Sequence, residues 1–340
     1  MTDPHARTTQ APVLDQDSRV RDVWVHPLGR DILSKILLQL GRSPRWVTNP
    51  LIGSLRLRTV RRLLGGLLGK GFVESLLRLL NEHRDIPSSV PVDPPPAWWR
   101  EAVFYQVYPR SFMDGDGDGI GDIPGLISRL GYLQDLGVDA VWLSPVYDSP
   151  NDDNGYDIRD YRAIMAEFGT MADLDELIAQ LHERDMRLVM DLVVNHTSDE
   201  HAWFQAALAD PDSPYAEYYF FRPGDPETPP NNWTSFFSGS AWRWFRERSE
   251  WALHLFSSKQ MDLNWTHPPL RAEIVDMVRW WLGRGVDGFR LDVINYISKA
   301  PDLPDGDPFI GRLMNYTGVE HYFAGPRLHE HLRQLRAEAF

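Results

Sequence analysis

The chain has 340 residues, 43% of them hydrophobic and 24% charged, which is ordinary for a globular protein with a sizeable core. It has no cysteine, which excludes a disulfide framework, thiolate chemistry and a zinc–thiolate site. The net charge of -13 is uneven: residues 1–100 hold 15 Lys+Arg against 9 Asp+Glu, the rest 20 against 39, and so acidic a body argues against a nucleic-acid substrate.

Met1 to Gln10 is polar and lacks the apolar stretch of a signal peptide. No apolar run reaches the roughly 18 residues of a membrane span. The expectation is therefore a cytoplasmic protein without a membrane span.

Asp31–Leu40 and Phe72–Leu80 repeat apolar residues at three- and four-residue intervals, the period of a helix with one buried face. Arg58, Arg61 and Arg62 lie on the polar side of a third candidate, and Gly65, Gly66, Gly69 and Gly71 weaken a long helix there. Residues 1–95 thus read as a small α-helical extension packing on the main domain or on a partner the sequence does not name. A basic membrane-surface contact is the alternative. The stiff, proline-rich run from Ile86 to Ala97 ends it and sets the domain boundary.

Beyond the linker the period changes. Val103–Val107, Ala140–Leu143, Leu188–Val194 and Val286–Asp292 are strand-like. Between them Ile123–Leu136, Leu174–Leu181 and Leu270–Leu282 have helical spacing. Alternation of this kind predicts an α/β domain over 96–340 with right-handed parallel units. Residues 197–265 break the rhythm, are rich in Trp, Phe, Tyr, Pro and Asn, and read as a small domain inserted after the third strand. The chain has 13 Trp, most of them expected in packing, although flat rings also suit sugar faces.

Gly288-Phe-Arg-Leu-Asp292 carries the most chemical information. Residues two apart on a strand share a face, so Arg290 and Asp292 point the same way. A guanidinium favours the ionised form of its neighbour, leaving a carboxylate able to act as nucleophile or electrostatic stabiliser. An ordinary Arg–Asp pair is the competing reading. Asp191 near the end of the third strand, with Asn195-His196 just past it, lies at the same expected face. His196 alone could equally be a satisfied structural histidine. Asp114-Gly-Asp-Gly-Asp-Gly-Ile-Gly-Asp122 gathers four carboxylates in nine residues. Asp114, Asp116, Asp118, the Ile120 carbonyl and Asp122 could supply oxygens to calcium. The loop begins like a helix–loop–helix calcium site, but Gly125 stands where such a site closes on Glu, and an unliganded acidic turn is the alternative.

Together with Asp153-Asn-Gly-Tyr-Asp157 and Gln260-Met-Asp-Leu-Asn-Trp265, these motifs resemble the α-amylase superfamily of retaining glycoside hydrolases, nearest its oligo-1,6-glucosidase and α-glucosidase branch. The resemblance runs from Trp98 to Phe340. It implies a (β/α)8 TIM barrel, of which about four strand–helix units are visible. It implies Asp292 as the catalytic nucleophile and Arg290 as the residue that keeps it charged. Asp153 and His196 would hold glucose hydroxyls, Tyr156 would face the sugar ring, and Phe237, Phe256 and Gln260 would complete the pocket from the inserted domain. The resemblance also places a structural cation at the acidic loop, and Val293, directly after the nucleophile, leans towards α-1,6 bonds. The substrate is then a short oligosaccharide, and no organic cofactor is implied.

Retaining hydrolysis needs a second carboxyl group as general acid. After Asp292 the sequence offers Glu320, Glu330 and Glu338, none following an apolar strand. The expectation is an incomplete barrel that stops before its acid and is inactive as given. A transferase or isomerase on the same scaffold (a sucrose isomerase or trehalose synthase) and a non-catalytic family member are the alternatives.

Overall fold

A computed structural model describes residues 13–39, 41–68, 72–82 and 97–340. The proline-rich linker, save Ala97, lies outside the described residues, as do Met1–Gln10, Leu40, Gly69 and Gly71. The chain divides into two compact units, residues 1–95 with 307–320, and 96–306 with 321–340.

The first unit is helical, and its longer helices are Pro27–Gln39, Leu57–Leu68 and Phe72–Glu82. Val73, Leu76, Leu77 and Leu80 recur at three- and four-residue steps on the last of these, and all four are buried with Val23, Ile32 and Leu57. The second helix continues through Gly65 and Gly66, which the sequence reading expected to weaken it. Residues 307–320 correct the expected boundary, because they group with these helices and not with the strand–helix domain. Their short helix, Pro308–Met314, has apolar residues at 309, 310, 313 and 314, a helical spacing that does not say which core it joins.

The second unit is built on four parallel strands in consecutive order: β1 (Phe104–Val107), β2 (Ala140–Leu143), β3 (Arg187–Val193) and β4 (Gly288–Asp292). Phe104 pairs with Ala140, Val141 with Leu188, and Arg290 with Asp191. In β3 every residue after Arg187 is buried, as expected of a parallel strand covered on both faces. This α/β arrangement corresponds to four consecutive units of a (β/α)8 barrel.

The intervening helices have clear start and stop signals. Met171–His182 begins with a capping box between Thr170 and Asp173. Pro268–Arg284 begins with proline and ends at Gly285, whose φ of 109° suits the achiral residue. Its Trp281 is fully buried and meets Tyr147 edge-on, with ring centroids 5.6 Å apart. The single helix expected over 123–136 is two, Ile123–Ser128 and Leu130–Asp135, which meet at Arg129.

After β3 the chain leaves the barrel rhythm. His196–Ser198 pairs antiparallel with Gln260–Asp262, closing the excursion at its base. Between them stand helix Ala202–Ala209 and a three-stranded sheet ordered Phe221–Pro223, Glu250–Leu253, Trp242–Phe245. Phe204 joins helix to sheet, 5.7 Å from the Phe221 ring and 5.3 Å from Phe245. Among the described residues no helix is long and apolar enough to cross a membrane.

Two glycines test how tightly the start of the domain is packed. A Cβ on Gly125 would sit 2.1 Å from the Met113 carbonyl oxygen, whereas one on Gly131 would meet nothing within 4 Å. Gly125→Ala should therefore cost about 2–4 kcal/mol, while Gly131→Ala, inside a helix, should be neutral or stabilise by up to about 1 kcal/mol. Urea unfolding of the two variants measures both.

Candidate active site

Three neighbouring barrel strands send four side chains to a common point, two of them from β4. From β4, Arg290 Nη1 donates to Asp292 Oδ1 at 2.5 Å and to Asp191 Oδ1 on β3 at 2.7 Å. From β2, Trp142 Nε1 donates to Asp191 Oδ2 at 2.8 Å, and its ring lies 4.9 Å from the Arg290 guanidinium carbon. The parallel register makes this possible, since Arg290 and Asp191 are direct partners across β4 and β3.

Asp191 is wholly buried, and the Tyr156 hydroxyl is a third donor to its carboxylate, at 3.3 Å. Both acids are ionic partners of one cation, which is how two carboxylates can share so small a volume. Burial pushes the Asp292 carboxyl up to about 6, Arg290 pulls it back, and the Asp191 carboxylate adds to the rise. Asp292 is thus mostly ionised at neutral pH and retains only 7% exposure. The next residue, Val293, has φ 38° and ψ 32° and turns the chain out of β4 into a short 3-10 helix. A β-branched residue there costs about 1–3 kcal/mol, strain that leaves Asp292 as the last residue of its strand.

Asp153, Tyr156, His196 and Gln260 form a second, connected group. Gln260 Nε2 donates to Asp153 Oδ2 at 2.8 Å and to the Tyr156 carbonyl at 3.2 Å. His196 Nε2 lies 3.1 Å from the same carbonyl. The resemblance assigned His196 to a sugar hydroxyl, but here its Nε2 faces the Tyr156 backbone and the residue is 1% exposed. Burial lowers its pKa to about 4, so the ring is neutral at ordinary pH. Burial also raises the Asp153 carboxyl, with the Gln260 amide opposing the rise. Tyr156 joins the two groups, its carbonyl held by His196 and Gln260 and its hydroxyl on Asp191.

Phe256 packs on His196 at 5.1 Å and is stacked with Phe236 at 5.0 Å, while Phe237 is 56% exposed beside it. The wall includes Tyr296, 5.9 Å from Phe256. Sequence reasoning missed Trp142, Phe236 and Tyr296, and also Lys299 and Asp262, a fully buried ion pair at 2.6 Å. Trp142 could have been found from its inward position on the second strand, but nothing in the order of residues announces the pairing of Lys299 with Asp262.

In the acidic loop, carboxylate oxygens of Asp114, Asp116 and Asp122 lie within 4.8 Å of one another. Asp118, expected with them, lies outside that group, its carboxylate accepting from the Ile120 amide at 2.7 Å. The later glutamates lie away from strand ends. Glu330 pairs with Arg327 on helix Leu328–Ala339, Glu338 accepts from Gln334, and Glu320 accepts from the Asp307 amide. Among the described residues no strand follows β4.

Four barrel strands whose ends carry an Arg-bridged pair of aspartates, with an insertion after the third, define the class to which comparison assigns the chain. It belongs to the α-amylase catalytic-domain family, whose profile matches residues 106–340. The oligo-1,6-glucosidase of Halalkalibacterium halodurans is 59% identical over 238 residues, 70% of this chain and 42% of that protein. The oligo-1,6-glucosidase of Parageobacillus thermoglucosidasius is 59% identical over 241 residues, 71% of this chain and 43% of that protein. The crystal structure of isomaltulose synthase from Klebsiella sp. LX3 superposes with TM-score 0.69 at 49% identity, covering 72% of this chain and 43% of that one. The chain thus spans less than half the length of the relatives it matches.

The raised Asp292 carboxyl has a consequence for stability. With a folded value of about 6 against an ordinary 3.8, ionisation of Asp292 opposes folding, so its contribution is fully present below 3.8 and is lost as pH rises through 6. Asp292→Asn should therefore raise stability by about 1–3 kcal/mol at pH 7.5, and the gain should vanish towards pH 4. Thermal melts of both proteins across that range check the sign.

Proposed function

We propose that the chain supplies the nucleophile side of a retaining α-glucosidase site that acts on terminal α-glucosidic bonds of short oligosaccharides. The observation that carries this reading is the nearly buried Asp292 at the C-terminal end of β4, bridged through Arg290 to Asp191. In this reading the Asp292 carboxylate attacks the anomeric carbon, the bond to the leaving oxygen breaks, and a glycosyl ester forms that water later hydrolyses. Arg290 holds the attacking carboxylate ionised. Asp153 takes a sugar hydroxyl, Tyr156 faces the ring, Phe256 and Phe237 border the entrance, and His196 and Gln260 fix Asp153 and Tyr156. Two oligo-1,6-glucosidases among the relatives support the preference for α-1,6 bonds, as does Val293 after the nucleophile.

No strand among the described residues ends on a glutamate, so the reading assigns a nucleophile and no acid. A general acid contributes about 10²–10⁴-fold, chiefly for poor leaving groups. The chain should thus release p-nitrophenol from its α-glucoside at least 100-fold faster than it cleaves isomaltose. Equal rates would mean that an acid is present and misplaced.

Resemblance to an isomaltulose synthase supports a second reading, an isomerase that forms the same ester and returns the glucosyl unit to a sugar. Chromatography of products from sucrose separates the two: glucose release marks hydrolysis, and a rearranged disaccharide marks isomerisation.

We also propose a structural calcium ion at Asp114, Asp116 and Asp122, with the Ile120 carbonyl. Three carboxylates this close repel one another, and a hard cation relieves that cost. Asp114 is already held low by the Gly117 and Gly119 amides, so the loop is shaped around negative charge. Calcium should raise the melting temperature after chelator treatment by several degrees, and Asp122→Ala should abolish the rise.

A further inference from the structure

Lys299 and Asp262 have no place in the chemistry above, yet both are enclosed, with side chains 1% and 0% exposed. An enclosed ion pair rarely adds stability over apolar residues of similar size, since desolvation opposes its attraction. Its geometry suggests another task. Lys299 Nζ donates to Asn195 Oδ1 at 3.1 Å while pairing with Asp262 Oδ2 at 2.6 Å. Ammonium has only donors, so it fixes which end of the Asn195 amide faces it. The opposite end, Nδ2, then points to Asp262 Oδ2 at 3.3 Å and to His196 Nδ1 at 3.2 Å. A flipped amide would set its oxygen against the Asp262 carboxylate and its NH2 group against the ammonium.

The orientation of Asn195 has one consequence for its neighbour. Nδ1 of His196 must accept, so in the neutral ring the proton resides on Nε2, which lies 3.1 Å from the Tyr156 carbonyl. Gln260 Nε2 also approaches His196 Nε2, at 3.1 Å. Gln260 Oε1 already accepts from the Ser257 amide and its Nε2 donates to Asp153 and Tyr156, so this approach is a contact and not a competing donor.

We infer that Lys299 is a positioning residue: through the Asn195 amide it fixes the proton of His196 on Nε2, and so holds the Tyr156 backbone where its side chain can serve the sugar. The last clause rests on the glucosidase reading, whereas the control of the tautomer does not.

Long-range proton–nitrogen NMR of the histidine-labelled full chain reads the tautomer directly. The native protein should show His196 with a protonated Nε2 and an unprotonated Nδ1. Lys299→Met should lose this pattern, and Lys299→Arg should restore it. If Lys299→Met fails to fold, Asn195→Asp decides, since a carboxylate oxygen facing Nδ1 should draw the proton there. A native ring protonated on Nδ1, or nitrogen shifts unchanged in the folded Met variant or in Asn195→Asp, overturns the inference. Titration with deoxynojirimycin reads the other part: native binding weakened at least tenfold by Asn195→Asp supports the link to Tyr156, and undiminished binding overturns that link. Failure of the native chain to bind counts against the glucosidase reading and leaves the tautomer result standing.

Discussion

One guanidinium organises the end of the barrel. Arg290 neutralises two aspartates on adjacent strands, and without it Asp191 and Asp292 would be like charges in a nearly dry space. The parallel register supplies the geometry, because it places Arg290 beside Asp191 and Asp292 two residues further on the same face. Burial and the second carboxylate raise the Asp292 carboxyl while Arg290 lowers it, and the balance leaves a charged, poorly solvated oxygen. Such an oxygen suits a nucleophile, since little water has to leave before it attacks.

The insertion after β3 completes this end of the domain by a different route. Its base strand brings Gln260 to Asp153 and Tyr156, and its loops bring Phe256 beside His196 with Phe236 and Phe237 packed on Phe256. Tyr156 answers to both sides, with its hydroxyl on Asp191 and its carbonyl on His196 and Gln260. The Lys299–Asp262 pair lies behind this layer and joins the segment after β4 to the base of the insertion.

Much of this was legible from residue order. The four strands and their parallel pairing follow from short apolar runs alternating with helical periods, and the placing of Arg290 with Asp292 from two-residue periodicity. Motif order carried the family, and with it the four residues that form the network around Gln260. Other features depend on long-range contacts that local pattern does not encode. Trp142 looks like one more core residue until its indole N–H is seen on Asp191. Nothing in residue order separates Asp118 from the three loop aspartates whose oxygens gather. Residues 307–320 join the helical unit because of distant packing, and the strain at Val293 is a property of φ.

The central claim is that Asp292 forms a bond to sugar. Incubation with 5-fluoro-α-D-glucosyl fluoride, whose fluoride departs without an acid, followed by peptide mass spectrometry, tests it most directly. The account predicts a fluoroglucosyl ester on Asp292 that is absent from Asp292→Ala. An ester on another carboxylate, or undiminished labelling of the alanine variant, would contradict it.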